Sequence, residues 1–294
     1  MKSLDTKSLN KTTISIQDKL SPIKLEYSDN STFFGDTIVT IYDDYKLSLV
    51  LTDDCGAVID HKIIFPKRGD IIIFRPDEVH FGRFPKSCEY KFISFLIPID
   101  FFENLFTSSH DILSPFLDTS ADKINLFRFN ESVRKKVIGI AEEIMEMIQA
   151  EPESHRFDIV IFSKLIEVLN ICNKYYDAQK KLQNTPTVPT IVTEVFQKID
   201  EAFPDFIGLS VLARHCGCSV TYLTQTFRHY TGKSIHNYLM ERRLEYARKL
   251  LQNGASVTDA CYLSGFSDSS GFILQFKKHF HTTPGKYKKG AATE

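Results

Sequence analysis

At 294 residues, with 36 Lys or Arg against 37 Asp or Glu and a net charge of −1, the chain is long enough for two domains and is not a polybasic binder. It contains no run of eighteen apolar residues and no secretory segment, so a cytoplasmic placement without a membrane span is expected. In that compartment the six cysteines, at 55, 88, 172, 216, 218 and 261, are expected as thiols.

Residues 36 to 97 read as strands. TIVTIY, KLSLVLT, KIIFP, DIIIFRP and YKFISFLIPI are short, rich in Ile, Val, Phe and Tyr, and separated by Asp-Asp, Gly and Pro. Strands in series with no helix between them predict an antiparallel barrel or sandwich. Gly69-Asp70 turns the chain before a buried strand, and Pro76 ends that strand just ahead of His80. Arg75, Glu78, His80 and Arg83 are polar residues at the expected barrel mouth, candidates for holding a sugar or small acid; the alternative is that they hold the turn itself. Metal chemistry would need several His and Glu ligands converging from two motifs, and His80 with an isolated His61 does not supply them, so no metal or cofactor is expected.

After Pro98 the pattern turns helical. Residues 131 to 149 place Val133, Val137, Ile140, Ile144 and Met147 on one side, and residues 155 to 176 carry a wide stripe of Ile159, Phe162, Leu165, Ile166, Leu169 and Cys172. The stripe suits packing on the strands and on a second subunit, which makes a homodimer the expected state. Residues 177 to 189, DAQKKLQNTPTVP, are polar with two prolines and read as a linker. Ile191, Val192, Val195, Phe196, Ile199, Phe203 and Phe206 then form an amphipathic opening helix and its exit. The expected domains are therefore 1–176, the linker 177–189, and 190–290.

The last hundred residues repeat one pattern. L209-x-x-L212-A213-x-x-x-G217-x-S219-x-x-x-L223-x-x-x-F227 returns as V257-x-x-A260-C261-x-x-x-G265-x-x-D268-x-x-x-F272-x-x-x-F276, offset by 48 residues up to the glycine and 49 from the cap onward. Small residues (Ala213; Ala260 with Cys261) sit where a second helix must cross closely, and Gly217 and Gly265 sit where the chain reverses. Ser219 and Asp268 cap helices whose anchor pairs, four residues apart, bury one stripe and free the opposite face. That free face is Val220, Thr221, Thr224, Gln225 and Arg228 in the first copy. In the second it is Ser269, Ser270, Ile273 and Lys277, with Gly271 and Leu274 near its edge. A free helix face after a short turn is what reading the DNA major groove requires. Cys216-Gly-Cys218 beside His215 is better explained as small core residues than as metal ligands.

Between the copies, Ser234 caps a helix that runs to Asn253-Gly254, and Ser256-x-x-Asp259 opens the second copy. Eighteen to twenty residues at about 1.5 Å each span roughly 27–30 Å, close to the roughly 34 Å of one duplex turn, so both reading helices suit successive major grooves. Residues 188–294 carry 13 Lys or Arg against 9 Asp or Glu, and residues 1–187 carry 23 against 28, so the excess of cations lies where phosphates would be met. Arg228, Lys233, Arg242, Lys277, Lys278, His281 and Lys286 are the phosphate candidates; Val220, Thr221, Thr224, Gln225, Ser269 and Ser270 are the base-reading ones.

The stretch LAxxCGxS, YLxxxF, RRLExAxxLL, VxDACxxxGFSDSSxFxxxFKKxFxxTPxxY resembles the DNA-binding domain of the AraC/XylS family of bacterial transcriptional regulators. The run KRGDIIIFRPDEVHFGRF resembles the cupin-like sensing barrel of the same family. The resemblance implies an α+β protein: a cupin-like β-barrel followed by dimerisation helices, then an all-α domain with two helix-turn-helix motifs joined by a long helix. It further implies a non-enzymatic, sequence-specific regulator of promoter DNA, a small-molecule-responsive activator with a sugar as candidate effector, which recruits RNA polymerase. The alternatives are a regulator whose barrel only dimerises, and a repressor. Family members commonly carry an aromatic and a basic residue where this chain has Gly271 and Leu274. The second reading helix is therefore expected to position the protein through Lys277 and Lys278, and the first to discriminate bases.

Overall fold

The computed structural model describes residues 12–17, 23–29, 39–53, 55–83, 90–101, 110–120, 122–150, 159–182, 189–205 and 207–291. Thr37 and Ile38 of the first expected strand, Cys88 and Phe206 lie outside them. Nine strands are described: β1 (Thr12–Gln17), β2 (Lys24–Asp29), β3 (Tyr45–Val50), β4 (Gly56–Ile59), β5 (Lys62–Ile64), β6 (Ile71–Phe74), β7 (His80–Arg83), β8 (Lys91–Ile97) and β9 (Leu126–Phe127). They form a six-stranded antiparallel sheet, β1-β2-β8-β3-β6-β9, and a three-stranded one, β5-β4-β7.

Strand periodicity sorts the side chains of the larger sheet. Leu25, Leu47, Leu49, Ile71, Ile73, Ile93, Phe95 and Ile97 face one way and are buried under α1 (His110–Leu117), α2 (Glu131–Ala150) and α3 (Ile159–Leu182). Each such side chain is worth roughly 1.5–3 kcal/mol in burial, so this face anchors the three helices. The predicted stripes on α2 and α3 supply the other side, with Val137, Ile140, Ile144, Leu165, Leu169 and Cys172. Helix α3 runs on to Leu182, so the polar stretch that follows Tyr176 begins as helix.

The expected cupin-like barrel is not found. Among the described residues neither sheet closes, and one isolated bridge, Thr40–His80, stands outside the named strands. The physical reason lies in the smaller sheet. Its apolar residues Val58, Ile63 and Phe81, with Val39 and Val79 beside them, are buried against helices of the C-terminal half and share one core with Val195, Phe196, Phe227 and Tyr238. A sheet drawn outward onto that partner leaves the ladder between the two sheets unmade.

Among the described residues the C-terminal third is all helical, as expected: α4 (Thr190–Ala202), α5 (Leu209–His215), α6 (Val220–Thr231), α7 (Ile235–Gln252), α8 (Val257–Leu263), α9 (Ser269–Phe280) and α10 (Pro284–Ala291). The N-caps sit at the expected residues. Ser219 accepts from the Tyr222 amide at 3.2 Å, Ser234 from Asn237 at 3.1 Å, Ser256 from Asp259 at 3.0 Å and Asp268 from Gly271 at 2.7 Å. Helix α7 serves two cores. Its first half gives Ile235, Tyr238 and Leu239 to the first helix-turn-helix, and its second half gives Leu244, Ala247 and Leu251 to the second.

The two units are pinned at one point. Arg243 of α7 donates from Nε and Nη2 to the Pro204 carbonyl, at 3.0 and 2.8 Å, and the tight turn at Gly265 presses on both. A Cβ at Gly265 would overlap the Pro204 oxygen and come within 2.9 Å of Arg243 Nε, and its φ of +85° is left-handed. Gly217, the matching residue of the first unit, also has a left-handed φ of +62°, but a Cβ there would meet nothing within 4 Å. Gly217→Ala is therefore expected to cost about 1–2 kcal/mol from backbone strain alone. Gly265→Ala should cost a further 1–3 kcal/mol or so from overpacking, and urea unfolding of the two variants side by side checks the difference.

Candidate nucleic-acid interface

Helices α6 and α9 each follow a short helix and a glycine turn, and each buries its anchors: Leu223 and Phe227, Phe272 and Phe276. Their opposite faces are open. On α6 the side chains of Val220, Thr221, Gln225 and Arg228 are exposed, and Thr224 is half-buried. The Thr224 hydroxyl donates within the helix, to the carbonyls of Val220 (2.9 Å) and Thr221 (3.1 Å), so the group it turns outward is its methyl. On α9 Ser270, Ile273, Leu274, Lys277 and Lys278 are exposed, and Ser269 is half-buried near the turn.

The phosphate candidates divide. Arg228, Lys277, Lys278 and Lys286 are exposed around the reading faces, as is His281, which closes α9 in a left-handed conformation at φ 57°. Lys233 and Arg242 point inward. Lys233 is 3% exposed, its ammonium 3.0 Å from Glu241 and 5.5 Å from the Phe81 ring centre. Arg242 pairs with Asp200 and lies over the Phe203 ring at 4.5 Å. In this arrangement both hold α7 to its neighbours.

The N-terminal unit docks on α7 beside these residues. The Val39 amide donates to Glu241 at 2.7 Å, and Arg248 donates to the Ile41 carbonyl at 2.9 Å. Lys249 pairs with Asp43 at 3.1 Å and with Asp77, and His61 meets Asp200 at 3.2 Å. Arg83 donates to the His229 carbonyl at 2.8 Å, at the last turn of α6. These contacts leave the outward faces of α6 and α9 uncovered.

The four residues expected at a ligand mouth are placed otherwise. Arg75 and Glu78 are buried and joined: Arg75 donates from its amide and from Nη1 to the Glu78 carboxylate (2.8 and 3.1 Å), and from Nη2 to the carbonyls of Pro115 (2.5 Å) and Ile124 (3.0 Å). Lys123 and Asn125 complete the carboxylate shell, each at 2.8 Å. Arg83 reaches α6, and His80 is buried between Tyr42 and Phe74, with ring centres at 4.7 and 4.6 Å.

What sequence reasoning missed is the second face of the large sheet. Lys46, Ser48, Ser94 and Ser28 alternate with the core residues, and all four are buried. Ser48 and Ser94 share a hydrogen bond of 2.7 Å. Lys46 donates to the Tyr42 hydroxyl at 2.6 Å and lies within 4.5 to 5.9 Å of the rings of Tyr42, Phe92 and Phe74, with no carboxylate pairing with it among the described residues. The period-two pattern of KLSLV carries this face, but alternation alone reads the polar side as solvated.

The thiols of Cys216 and Cys218 are half-buried and those of Cys55, Cys172 and Cys261 are buried; none of these five forms a disulfide, and burial pushes Cys216 up to about 11. Among the described residues no three His, Cys, Asp or Glu side chains are grouped to hold a metal ion, and no helix is long and apolar enough to cross a membrane.

Burial pulls His80 down from 6.5 to about 3; the Glu78 carbonyl at 3.1 Å opposes the shift and the Lys46 charge adds to it. Unfolded imidazole takes a proton near 6.5 and the folded one does not until about 3, so the stability from a neutral His80 is complete above 6.5 and is lost as pH falls from there towards 3. At about 1.4 kcal/mol per pH unit, His80→Phe is expected to remove roughly 2 kcal/mol of the stability difference between pH 7 and pH 5. Urea titrations of both proteins at the two pH values measure it, and identical pH slopes would refute the assignment.

Comparison with known proteins places the helical half. A helix-turn-helix domain family matches residues 212–290. An HTH-type transcriptional regulator encoded in the cgkA 5′ region of Pseudoalteromonas carrageenovora is 33% identical over 99 residues, covering 34% of this chain and 59% of that protein. The probable transcription factor PqrA of Proteus vulgaris is 34% identical over 84 residues, covering 28% of this chain and 69% of PqrA. The transcriptional activator RhaS of Escherichia coli is 28% identical over 167 residues, covering 56% of this chain and 57% of RhaS. The matched region thus spans less than two thirds of the first and third of these relatives. All three are transcription factors or regulators rather than enzymes.

Proposed function

The chain belongs to the AraC/XylS-type helix-turn-helix family of DNA-binding transcriptional regulators, and on that premise we propose how its parts divide the work at a promoter. The observation that carries the reading is the pair of uncovered faces on α6 and α9, set by one shared helix of 18 residues. Helix α6 enters one major groove with Val220, Thr221, Thr224 and Gln225 against base edges, and α9 enters the next with Ser269 and Ser270 at its start. Arg228, Lys277, Lys278 and Lys286 contact phosphates; Lys233 and Arg242 brace α7.

Residues 1–176 form the sensing and dimerising unit, joined through 177–189 to the DNA-binding unit at 190–290. The effector is a small polar molecule, a sugar or small acid, and the buried polar face around Lys46, whose charge pairs with no carboxylate among the described residues, is the better place for it than Arg75 and Glu78, whose charges pair with each other. Segment 39–43 links this face to α7, because the Tyr42 ring stacks on His80 while Val39, Ile41 and Asp43 bind Glu241, Arg248 and Lys249. Homodimer contacts run through α2 and α3, where Ile159 and Val160 stand exposed. Activation is the reading that accords with the likeness to the transcriptional activator RhaS, and RNA polymerase is the partner we propose for it.

Gln225→Ala is expected to weaken binding to a selected operator by about 1–3 kcal/mol while leaving non-specific DNA unaffected, as measured by fluorescence anisotropy at one salt concentration. Equal weakening on both would take base reading away from Gln225. Lys277→Ala should lower the slope of log K against log salt by about one, and an unchanged slope would remove its phosphate role.

A further inference from the structure

The second reading face is apolar at its centre. Ile273 is 39% and Leu274 66% exposed, and they stand side by side on the outer surface of α9. Around them are Lys277 and Lys278, with Lys286 on the helix that follows and no acidic residue within α9. An apolar patch with cations along its C-terminal side suits a polyanion that offers an apolar feature between its phosphates.

The repeat identifies what these residues replace. With the 49-residue offset that relates the two capped helices, Ile273 stands in the register of Thr224 and Leu274 in that of Gln225. Thr224 already turns its methyl outward, since its hydroxyl is bound within the helix. The change at the next position is therefore the larger one: an amide able to pair with adenine in α6 is an isobutyl group in α9. Gly271 falls in the register of Tyr222, whose ring is exposed on α6. A Cβ at Gly271 would come within 2.7 Å of the capping carboxylate of Asp268. Lacking that ring, the first turn of α9 can lie closer to base edges than the first turn of α6, and van der Waals contact needs such an approach.

Base pairs present hydrogen-bonding groups along the major groove, and the one apolar feature among them is the C5 methyl of thymine. Leucine placed on any other edge would strip water from donors and acceptors without replacing their hydrogen bonds. We propose that α9 reads thymine methyl groups through Ile273 and Leu274, so that the half-site beneath it is specified by T·A pairs through apolar contact. The inference rests on the reading of α9 as a groove-entering helix, and it adds discrimination to a helix expected only to position the protein.

The test uses the full chain. Duplexes are selected from a random pool, and the best one is resynthesised with deoxyuridine replacing thymidine, one position at a time, which removes the methyl and keeps every hydrogen bond. Each methyl in contact should be worth about fourfold in affinity by anisotropy at fixed salt. The sensitive positions should fall about one helical turn, roughly 10 base pairs, from those that respond to Gln225→Ala. Leu274→Ala should bring the thymidine-to-deoxyuridine ratio close to one at one or more of the sensitive positions, leaving the rest to Ile273, with an unchanged thermal melt because the side chain is mostly exposed. If wild-type protein binds both duplexes equally while keeping its Gln225-dependent specificity, groove reading stands and the methyl assignment falls. If no duplex is enriched from the pool, both fall. If Leu274→Ala keeps the wild-type ratio, the patch serves another partner, such as a protein surface, and the proposal is overturned.

Discussion

One helix belongs to two hydrophobic cores, and the geometry of the DNA-binding half follows from that sharing. Because Tyr238 and Leu239 are buried in the first core and Leu244, Ala247 and Leu251 in the second, neither helix-turn-helix can rotate about α7 without opening one of them. Arg243 adds a further constraint by donating to the Pro204 carbonyl beside the turn at Gly265. The separation of α6 from α9 is consequently a property of a folded object and not of a tether. Two helices held in one fixed relation lose little orientational freedom when they engage a common partner.

The same helix decides where positive charge is available. Lys233, Arg242, Arg248 and Lys249 look in sequence like part of a basic stripe, yet they pair with Glu241, Asp200, Glu245, Asp43 and Asp77. Three of those cations are largely buried, and a buried charge left without its partner is costly, so they stay engaged while the fold is intact. Among the cations that remain outward are Arg228 on α6, Lys277 and Lys278 on α9, and Lys286 on α10. A modest net charge and a localised electrostatic surface are thus compatible, since internal pairs neutralise lysines and arginines that point inward.

The repeat was legible because its signals are local: a cap oxygen, anchors at four-residue spacing, a small residue at a crossing and a glycine at a turn all lie within one helix-turn-helix. All of them took their expected places. The strands of 45–50, 71–74 and 91–97 were legible from the same kind of pattern, but their pairing was not. Whether a sheet closes depends on which long-range partner takes its outer face, and nothing in Val58, Ile63 or Phe81 announces that the partner is Phe196 and Tyr238. The polar face of Lys46 and Ser48 misleads for a related reason, because alternation separates two faces without saying which of them meets water. Arg75 and Glu78 were recognised as a polar cluster beside a strand end; that they satisfy one another depends on Pro115, Ile124 and Asn125, which lie forty residues or more away.

The single residue that separates the two copies of the repeat falls in the turn between Gly265 and Asp268, outside every helix. An insertion inside α9 would have rotated its anchors off the core. Placed in the turn, it leaves Phe272 and Phe276 on the register of Leu223 and Phe227, with the framework of each copy intact. A repeat with that tolerance can carry different outer faces on one framework: an amide on one helix and an isobutyl group on the other change what each face offers a partner without disturbing the anchors beneath it.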